Sequence, residues 1–354
     1  MQTYKYISVV RMELSTGQVK IVFLFGVILV VLISGCTAQP AGTGEGNGNG
    51  TAEPLDYEGK KILYIDSYHE GYEWSDGITR GVQETLKDTG VELKIHRMDT
   101  KRNPSDEFKE QAALDAKVVI EEFDPDVVIA SDDNAMKYLI MPYYRDADLP
   151  VVFCGLNWDA SLYDLPYNNT AGMVEVALIP ELIEHLKIFS DGERLGYLSA
   201  DILTERKNLE YYDKLFGINF TKVYLVTTME EWKDAFLNLQ DEVDMVIFEN
   251  NAGITDWDSD EAEAFALNNT GIPFGTTNPW VMQSSLIGLT KVPEEQGEWS
   301  AQTALRILEG EKPSDIPIVT NEKGKLMLNL KIAEKLGVVF TPLMLRNADS
   351  IIGG

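Results

Sequence analysis

Residues able to grip or transform a small molecule gather in short clusters, each placed just after an apolar run. Ser67, Tyr68, His69, Glu70, Tyr72 and Trp74 follow the run 62–66, Ser131, Asp132, Asp133 and Asn134 follow 127–130, and Asn157 and Trp158 follow 151–154. Further on, Ser199 and Asp201 follow 194–198, Glu249 and Asn250 follow 245–248, and Thr277, Asn278 and Trp280 follow 273–275. Aromatic planes cover a flat apolar body, amides and hydroxyls orient it, and a carboxylate such as Asp132 or Glu249 can meet an ammonium group. These residues, with Glu70, Tyr72 and Asp133 set aside, form the expected ligand-binding set. Turn chemistry accounts for Ser67, Ser131 and Ser199 equally well, because Ser, Asn and Asp cap helices wherever strands end. Trp158 and Trp280 also suit packing between domains.

Catalysis finds little support. Of His69, His96 and His185, only His69 falls in a candidate loop, and no HExxH or CxxC spacing marks a metal site. There is no nucleophile elbow, P-loop or dinucleotide fingerprint after a strand. His185 falls inside an expected helix, and Cys154 closes an apolar run, where a half-buried strand end is expected rather than a nucleophile. The expectation is a binding protein that is not an enzyme, with no cofactor and no metal.

The elements that must position these clusters alternate. Expected strands at 62–66, 91–98, 127–130 and 151–154 are separated by amphipathic helices at 76–87, 105–123 and 135–145. Their continuous Val, Ile, Leu and Phe content is that of parallel strands covered on both faces. The stretch 157–171, NWDASLYDLPYNNTA, loses the period and is read as the passage between domains. A second series follows, with strands at 172–176, 194–198, 222–226, 245–248 and 273–275 and helices at 180–189, 204–216, 229–239 and 260–267. The third of these helices opens on the capping box Thr228/Glu231. Beyond Trp280 come an apolar stretch at 281–290, a helix at 294–308 and a last helix at 330–336. The fold class is α/β, with two Rossmann-like, doubly wound lobes, and ligands belong at the carboxyl ends of the strands.

The 354 residues carry 57 Asp and Glu against 30 Lys and Arg, a net charge of -27 that repels phosphate backbones and excludes nucleic acid as a partner. At the N-terminus Lys5, Arg11 and Lys20 precede the uncharged run 21–33, too short to span a bilayer comfortably but suited to a signal-peptide core. Leu32-Ile33-Ser34-Gly35-Cys36 resembles the lipobox of prokaryotic lipoproteins, which makes Cys36 the expected lipidated residue. Gly- and Asn-rich residues after it form a tether. The expected organisation is a signal peptide at 1–35, a lipid-anchored tether at 36–58, lobe 1 at 59–160 plus about 281–310, and lobe 2 at 161–280 plus about 311–354.

Several segments together resemble the substrate-binding proteins of ABC transporters, of the type whose better-understood members bind tryptophan or other aromatic amino acids. They are GITRGVQETLKDTG, LPVVFCGLNW, GEWSAQTALRILEGEKPSDIPI and LNLKIAEKLGVVFTPLMLRNADSII, and the likeness spans 60–352. It implies a type I periplasmic-binding-protein fold with a multi-stranded hinge, an inter-lobe cleft and closure on a small ligand. It also implies a monomer on the outer face of the cytoplasmic membrane, working with a permease and an ATPase. SYHEGYEWSDGI is similar instead to the opening of sensor domains fused to histidine kinases, which keeps open a ligand sensor working with a sensor kinase or chemoreceptor.

Overall fold

The computed structural model describes residues 57–353. The apolar run 21–33, Cys36 and the tether up to residue 56 lie outside them. From β1 (Lys61–Asp66) the chain passes through α1 (Glu73–Leu86), β2 (Glu92–Arg97), α2 (Asp106–Phe123) and β3 (Val127–Ser131). A helix in three parts follows: α3 (Asp132–Asn134), a π-helical segment Ala135–Ile140 and α4 (Met141–Tyr143). Then come β4 (Val151–Asn157), β5 (Thr170–Glu175), α5 (Ile179–Lys187), β6 (Leu195–Ala200), α6 (Leu203–Phe216), β7 (Lys222–Val226) and α7 (Met229–Glu242). The chain continues through β8 (Met245–Phe248), α8 (Ser259–Asn269), β9 (Phe274–Thr276), β10 (Ile287–Lys291) and α9 (Pro293–Leu308). It closes with β11 (Val319–Thr320), β12 (Gly324–Asn329), α10 (Leu330–Leu336), α11 (Pro342–Asn347) and β13 (Ser350–Ile352).

Two sheets result. The first has six strands in the order β11-β5-β4-β3-β1-β2, all parallel. The second has seven, β13-β12-β10-β9-β8-β6-β7, parallel except where β10 meets β12. Strand periodicity explains the layers: Ile62 and Tyr64 point to one face, with Ile78 and Val82 of α1, while Leu63 and Ile65 point to the other, with Ala112 and Ala116 of α2. In the second lobe a single apolar cluster gathers around the fully buried Trp232, Phe236, Phe248 and Phe274.

The passage between sheets lies later than the loss of period suggests. The segment 157–171 only links β4 to β5, with a 3-10 turn at Ala160–Tyr163, and β5 pairs with β4 in the first sheet. β11 returns to that sheet too, so neither 161–280 nor 311–354 belongs wholly to the second lobe. A loop rich in Asn, Asp and Pro marks the end of a strand; it carries no information about which sheet receives the next one.

The chain crosses between the sheets at 176–178, after Lys291 and at 321–323. These crossings are tied together. Val176 donates its N–H to Asn321 Oδ1 at 2.7 Å and accepts from Asn321 Nδ2 at 3.1 Å. The Glu295 carboxylate of α9 accepts the N–H groups of Glu322 and Lys323 at 3.0 and 2.8 Å.

After β10 the chain lays α9 against α1, and glycines let the two backbones meet. A Cβ built at Gly81 would stand 2.2 Å from Glu294 O, and one at Gly297 would stand 2.0 Å from Ile78 O. Real Cβ atoms do not approach a carbonyl so closely, so the helices would have to part. Gly297→Ala is therefore expected to destabilise the protein by about 2 kcal/mol or more, read as a lower midpoint in urea unfolding. An unchanged midpoint would show that the contact yields freely.

Candidate ligand-binding site

The first wall is built where β1 turns into α1. Asp66 closes β1 fully buried, and its Oδ1 accepts the N–H of Tyr68 at 3.0 Å and the hydroxyl of Ser75 at 2.7 Å, while Arg97 Nε lies 3.4 Å from Oδ2. This folds the loop back and starts α1 at Glu73, so that Trp74 stands in its first turn rather than before it. Ser67 donates to the carbonyl of Ser131 at 2.5 Å and accepts from the N–H of Ala135 at 2.8 Å. Ser131 shares a hydrogen bond with Tyr64 at 3.0 Å. Both serines thus use their hydroxyls to join β1 to β3.

Asp132 stands at the centre of this wall. It is 2% exposed, and its backbone adopts the left-handed region at φ 68°, a conformation uncommon for non-glycine residues that Asp tolerates better than most. Trp74 donates its indole N–H to Asp132 Oδ1 at 3.1 Å, and Asp132 Oδ2 has no hydrogen-bond partner among the described residues. Burial pushes the Asp132 carboxyl well above its usual range, and the nearby charges of Glu175, Asp66 and Asp133 push the same way. Gly155, itself at φ 67°, leaves the space: a Cβ there would come within 3.1 Å of Asp132 Oδ1.

Other expected contacts are engaged within the protein. Asn134 donates to Thr100 Oγ1 at 2.8 Å, and Asn157 donates to Asp133 at 2.7 Å. His69 is partly buried, its Nδ1 3.7 Å from Asp99 and its ring stacked on Tyr72 at 6.0 Å. Tyr68 meets Tyr72 edge-on at 5.4 Å, and Lys101 lies over both rings. Cys154 proves fully rather than half buried, and burial raises its thiol above the ordinary range, which makes it inert as a nucleophile.

The second wall is acidic as well. Glu249, at the end of β8, accepts from the N–H and hydroxyl of Thr277 at 3.1 and 2.6 Å and from Asn278 Nδ2 at 3.2 Å. Burial nevertheless raises it from 4.5 to about 7. Asn250 donates its backbone N–H to Ser199 Oγ at 3.1 Å and its side chain to Glu205 at 3.1 Å. Asp201 is held by Arg206 at 2.6 Å, and Trp280 is 53% exposed on the turn after β9.

Two hinge residues complete the arrangement. Lys291, at the end of β10, pairs with Glu175, at the end of β5, and its ammonium lies 5.4 Å from the centre of the Trp74 ring. Lys291 is also close enough to counteract the rise in Glu249. Trp74, Asp132, Glu175, Lys291 and Glu249 thus come together from both sheets. Glu175 and Lys291 are absent from the residues picked by sequence. The strand-end rule reaches both once 172–176 and 281–290 are each followed to the residue where the strand stops. Trp158 goes elsewhere: its ring lies parallel to Tyr211 at 5.5 Å and edge-on to Tyr212 at 5.4 Å, beside the Asp159–Lys214 ion pair at 2.6 Å, joining the lobes at their flank.

A cluster of carboxyls around one lysine, walled by indole and phenol rings, can bind a polar molecule but offers no reacting pair. Among the described residues no group of three or more His, Cys, Asp or Glu is placed to hold a metal ion. The sequence model described as ABC transporter substrate binding protein matches residues 73–352. The chain belongs to the ABC transporter substrate binding protein family. Proteins of this family are extracytoplasmic, bind small ligands for delivery to membrane permeases and are not enzymes, and this chain is a solute-binding protein of that type. Among curated proteins there is no significant match. Two solved structures share the architecture. A ligand-free, open substrate binding protein with adhesive properties from Clostridium difficile is 16% identical, with a TM-score of 0.62 over 83% of this chain and 100% of its own. A periplasmic ribose ABC transporter protein from Conexibacter woesei is 14% identical, with a TM-score of 0.52 over 80% of this chain and 97% of its own. At such identities the likeness is one of fold, the type I periplasmic-binding-protein fold. Among the described residues no helix is long and apolar enough to cross a membrane.

The raised carboxyl of Glu249 makes stability depend on pH. Between its ordinary 4.5 and about 7 the folded protein holds a proton that the unfolded chain has released, so stability falls as pH rises through that window, by up to about 3 kcal/mol. Glu249→Gln lacks this loss. The melting temperature of the natural protein is expected to fall relative to the variant from pH 4.5 to pH 7, whereas parallel curves would show that Glu249 ionises normally.

Proposed function

We propose that this protein is a lipid-anchored receptor on the outer face of the cytoplasmic membrane that captures an amino acid or a small aromatic or amphiphilic metabolite between its lobes and passes it to an ABC permease with its ATPase. In this reading a monomer closes on the ligand about the crossings at 176–178, Lys291 and 321–323. Trp74, Tyr68 and Asp132 supply one wall, Glu249, Thr277, Asn278 and Trp280 the other, and Lys291 with Glu175 the floor. The observation that carries the reading is the convergence on Lys291, which touches the Trp74 ring and pairs with Glu175 across the hinge. Ser67, Ser131, Asn134, Asn157, Ser199 and Asn250 shape the walls through their internal hydrogen bonds, and Asp201, His69 and Trp158 stand at their margins. Anchoring rests on the run 21–33 followed by the lipobox-like residues up to Cys36.

A thermal-shift screen of amino acids and small aromatic metabolites, followed by calorimetry, tests the reading. At least one compound should raise the melting temperature, and Trp74→Ala should weaken its binding about tenfold, the effect of losing one aromatic wall and its cation–π contact. If no compound in a broad screen stabilises the protein, the cleft reading fails. For the anchor, cells fed radioactive palmitate should label the natural protein and not Cys36→Ser, which should leave the membrane fraction. Equal labelling of the two would refute lipidation at Cys36.

A further inference from the structure

The chemistry of the cleft distinguishes between two classes of amine, and this distinction rests on the cleft reading above. An α-amino acid brings an ammonium and a carboxylate, and it needs free donors for the second. Six side-chain donors at the strand ends are already engaged: Ser67 donates to Ser131 O, Asn134 to Thr100, Asn157 to Asp133, Asn250 to Glu205, and Thr277 and Asn278 to Glu249, whereas Gln296, whose Oε1 accepts from Gly155, keeps a buried Nε2 unmatched among the described residues. Lys291 is paired with Glu175. Of the neighbouring bases, Arg97 faces Asp66 and Lys101 lies over the rings of Tyr68 and Tyr72. At those six positions a ligand carboxylate would displace an existing bond, and it would share the cleft with the carboxyls of Asp132, Glu175 and Glu249.

For a cation the situation is reversed. Asp132 Oδ2 is buried and, among the described residues, without a hydrogen-bond partner, and a buried acceptor left unmatched in a native structure points to a missing donor. Next to it the Trp74 ring already accepts an ammonium, that of Lys291 at 5.4 Å, so its face tolerates positive charge at this place. Carboxylate and indole are joined by the bond from Trp74 Nε1, which fixes the ring beside the charge. We propose that the cleft selects organic cations without a carboxylate, primary amines carrying an apolar or aromatic body, over the corresponding amino acids. The ammonium donates to Asp132 Oδ2, the body lies against Trp74 and Tyr68, and Lys291, the lysine over the Trp74 ring, is already paired with Glu175 and so is not free for the zwitterion's acid group.

Calorimetry on the full-length protein in detergent, with tryptamine against tryptophan, tyramine against tyrosine and agmatine against arginine, separates the classes. At least one amine should bind ten or more times tighter than its amino acid, and Asp132→Asn should reduce that amine's affinity at least tenfold while the variant still melts cooperatively. Should Asp132→Asn not fold, Trp74→Phe, which removes the indole N–H but keeps an aromatic face, should weaken the amine by a smaller factor. If an amino acid binds as tightly as its amine, or if no amine binds, the selectivity is refuted. In the first case, and also if an amino acid binds where no amine does, the cleft reading stands, because a ligand is still held and Trp74→Ala still weakens it. If neither class binds and the broad screen is also empty, the cleft reading falls as well.

Discussion

The close contact between α1 and α9 governs the geometry of the candidate site. It is a contact of backbone on backbone, possible only because Gly81 and Gly297 carry no Cβ where the helices cross. Through it a helix that follows a strand of the second sheet is held against the first lobe. Lys291 lies two residues before that helix begins, so the crossing that brings α9 home also sets the ammonium of Lys291 over Trp74, a residue of α1 itself. The same packing places Gln296 where it accepts the N–H of Gly155, at 2.9 Å, beside the turn that makes room for Asp132.

Around that junction the protein accumulates buried acid. Asp66, Asp132, Glu175 and Glu249 are all less than a tenth exposed, and each buried carboxylate without full compensation subtracts from stability. Asp66 is compensated by Tyr68, Ser75 and Arg97, and Glu175 by Lys291. Asp132 is compensated only on one oxygen. The left-handed backbone at Asp132 and the left-handed Gly155 facing it set the position of that carboxyl.

The hinge and the flank contacts bear on closure. Asn321 clamps Val176, and Glu295 holds the third crossing, so the three connections move as a bundle instead of as separate strings. The parallel stack of Trp158 on Tyr211 and the Asp159–Lys214 pair join the lobes outside the cleft. In a fold of this kind, hinge closure changes the distance between walls while leaving each wall rigid, and the internal hydrogen bonds of Ser67, Ser199, Asn134 and Asn250 serve that rigidity.

Much of this was legible in the amino-acid order alone. Apolar runs of Val, Ile and Leu marked nine strands to within a few residues, and the rule that ligands sit beyond strand carboxyl ends reached Trp74, Asp132 and Glu249. These are local properties, because side-chain pattern decides burial and burial decides the element. What only the tertiary structure decided is membership and direction: that β5 and β11 join the first sheet, that Trp158 packs at the flank, and that Glu175 and Lys291 meet. Residues 116 positions apart meet because of how two helices pack, and the glycines that permit it look, in sequence, like any others. The sequence by itself thus determined which residues stand at the ends of strands; the packing of α9 on α1 determined which of them face one another, since pairing across a cleft depends on distances that no local pattern encodes.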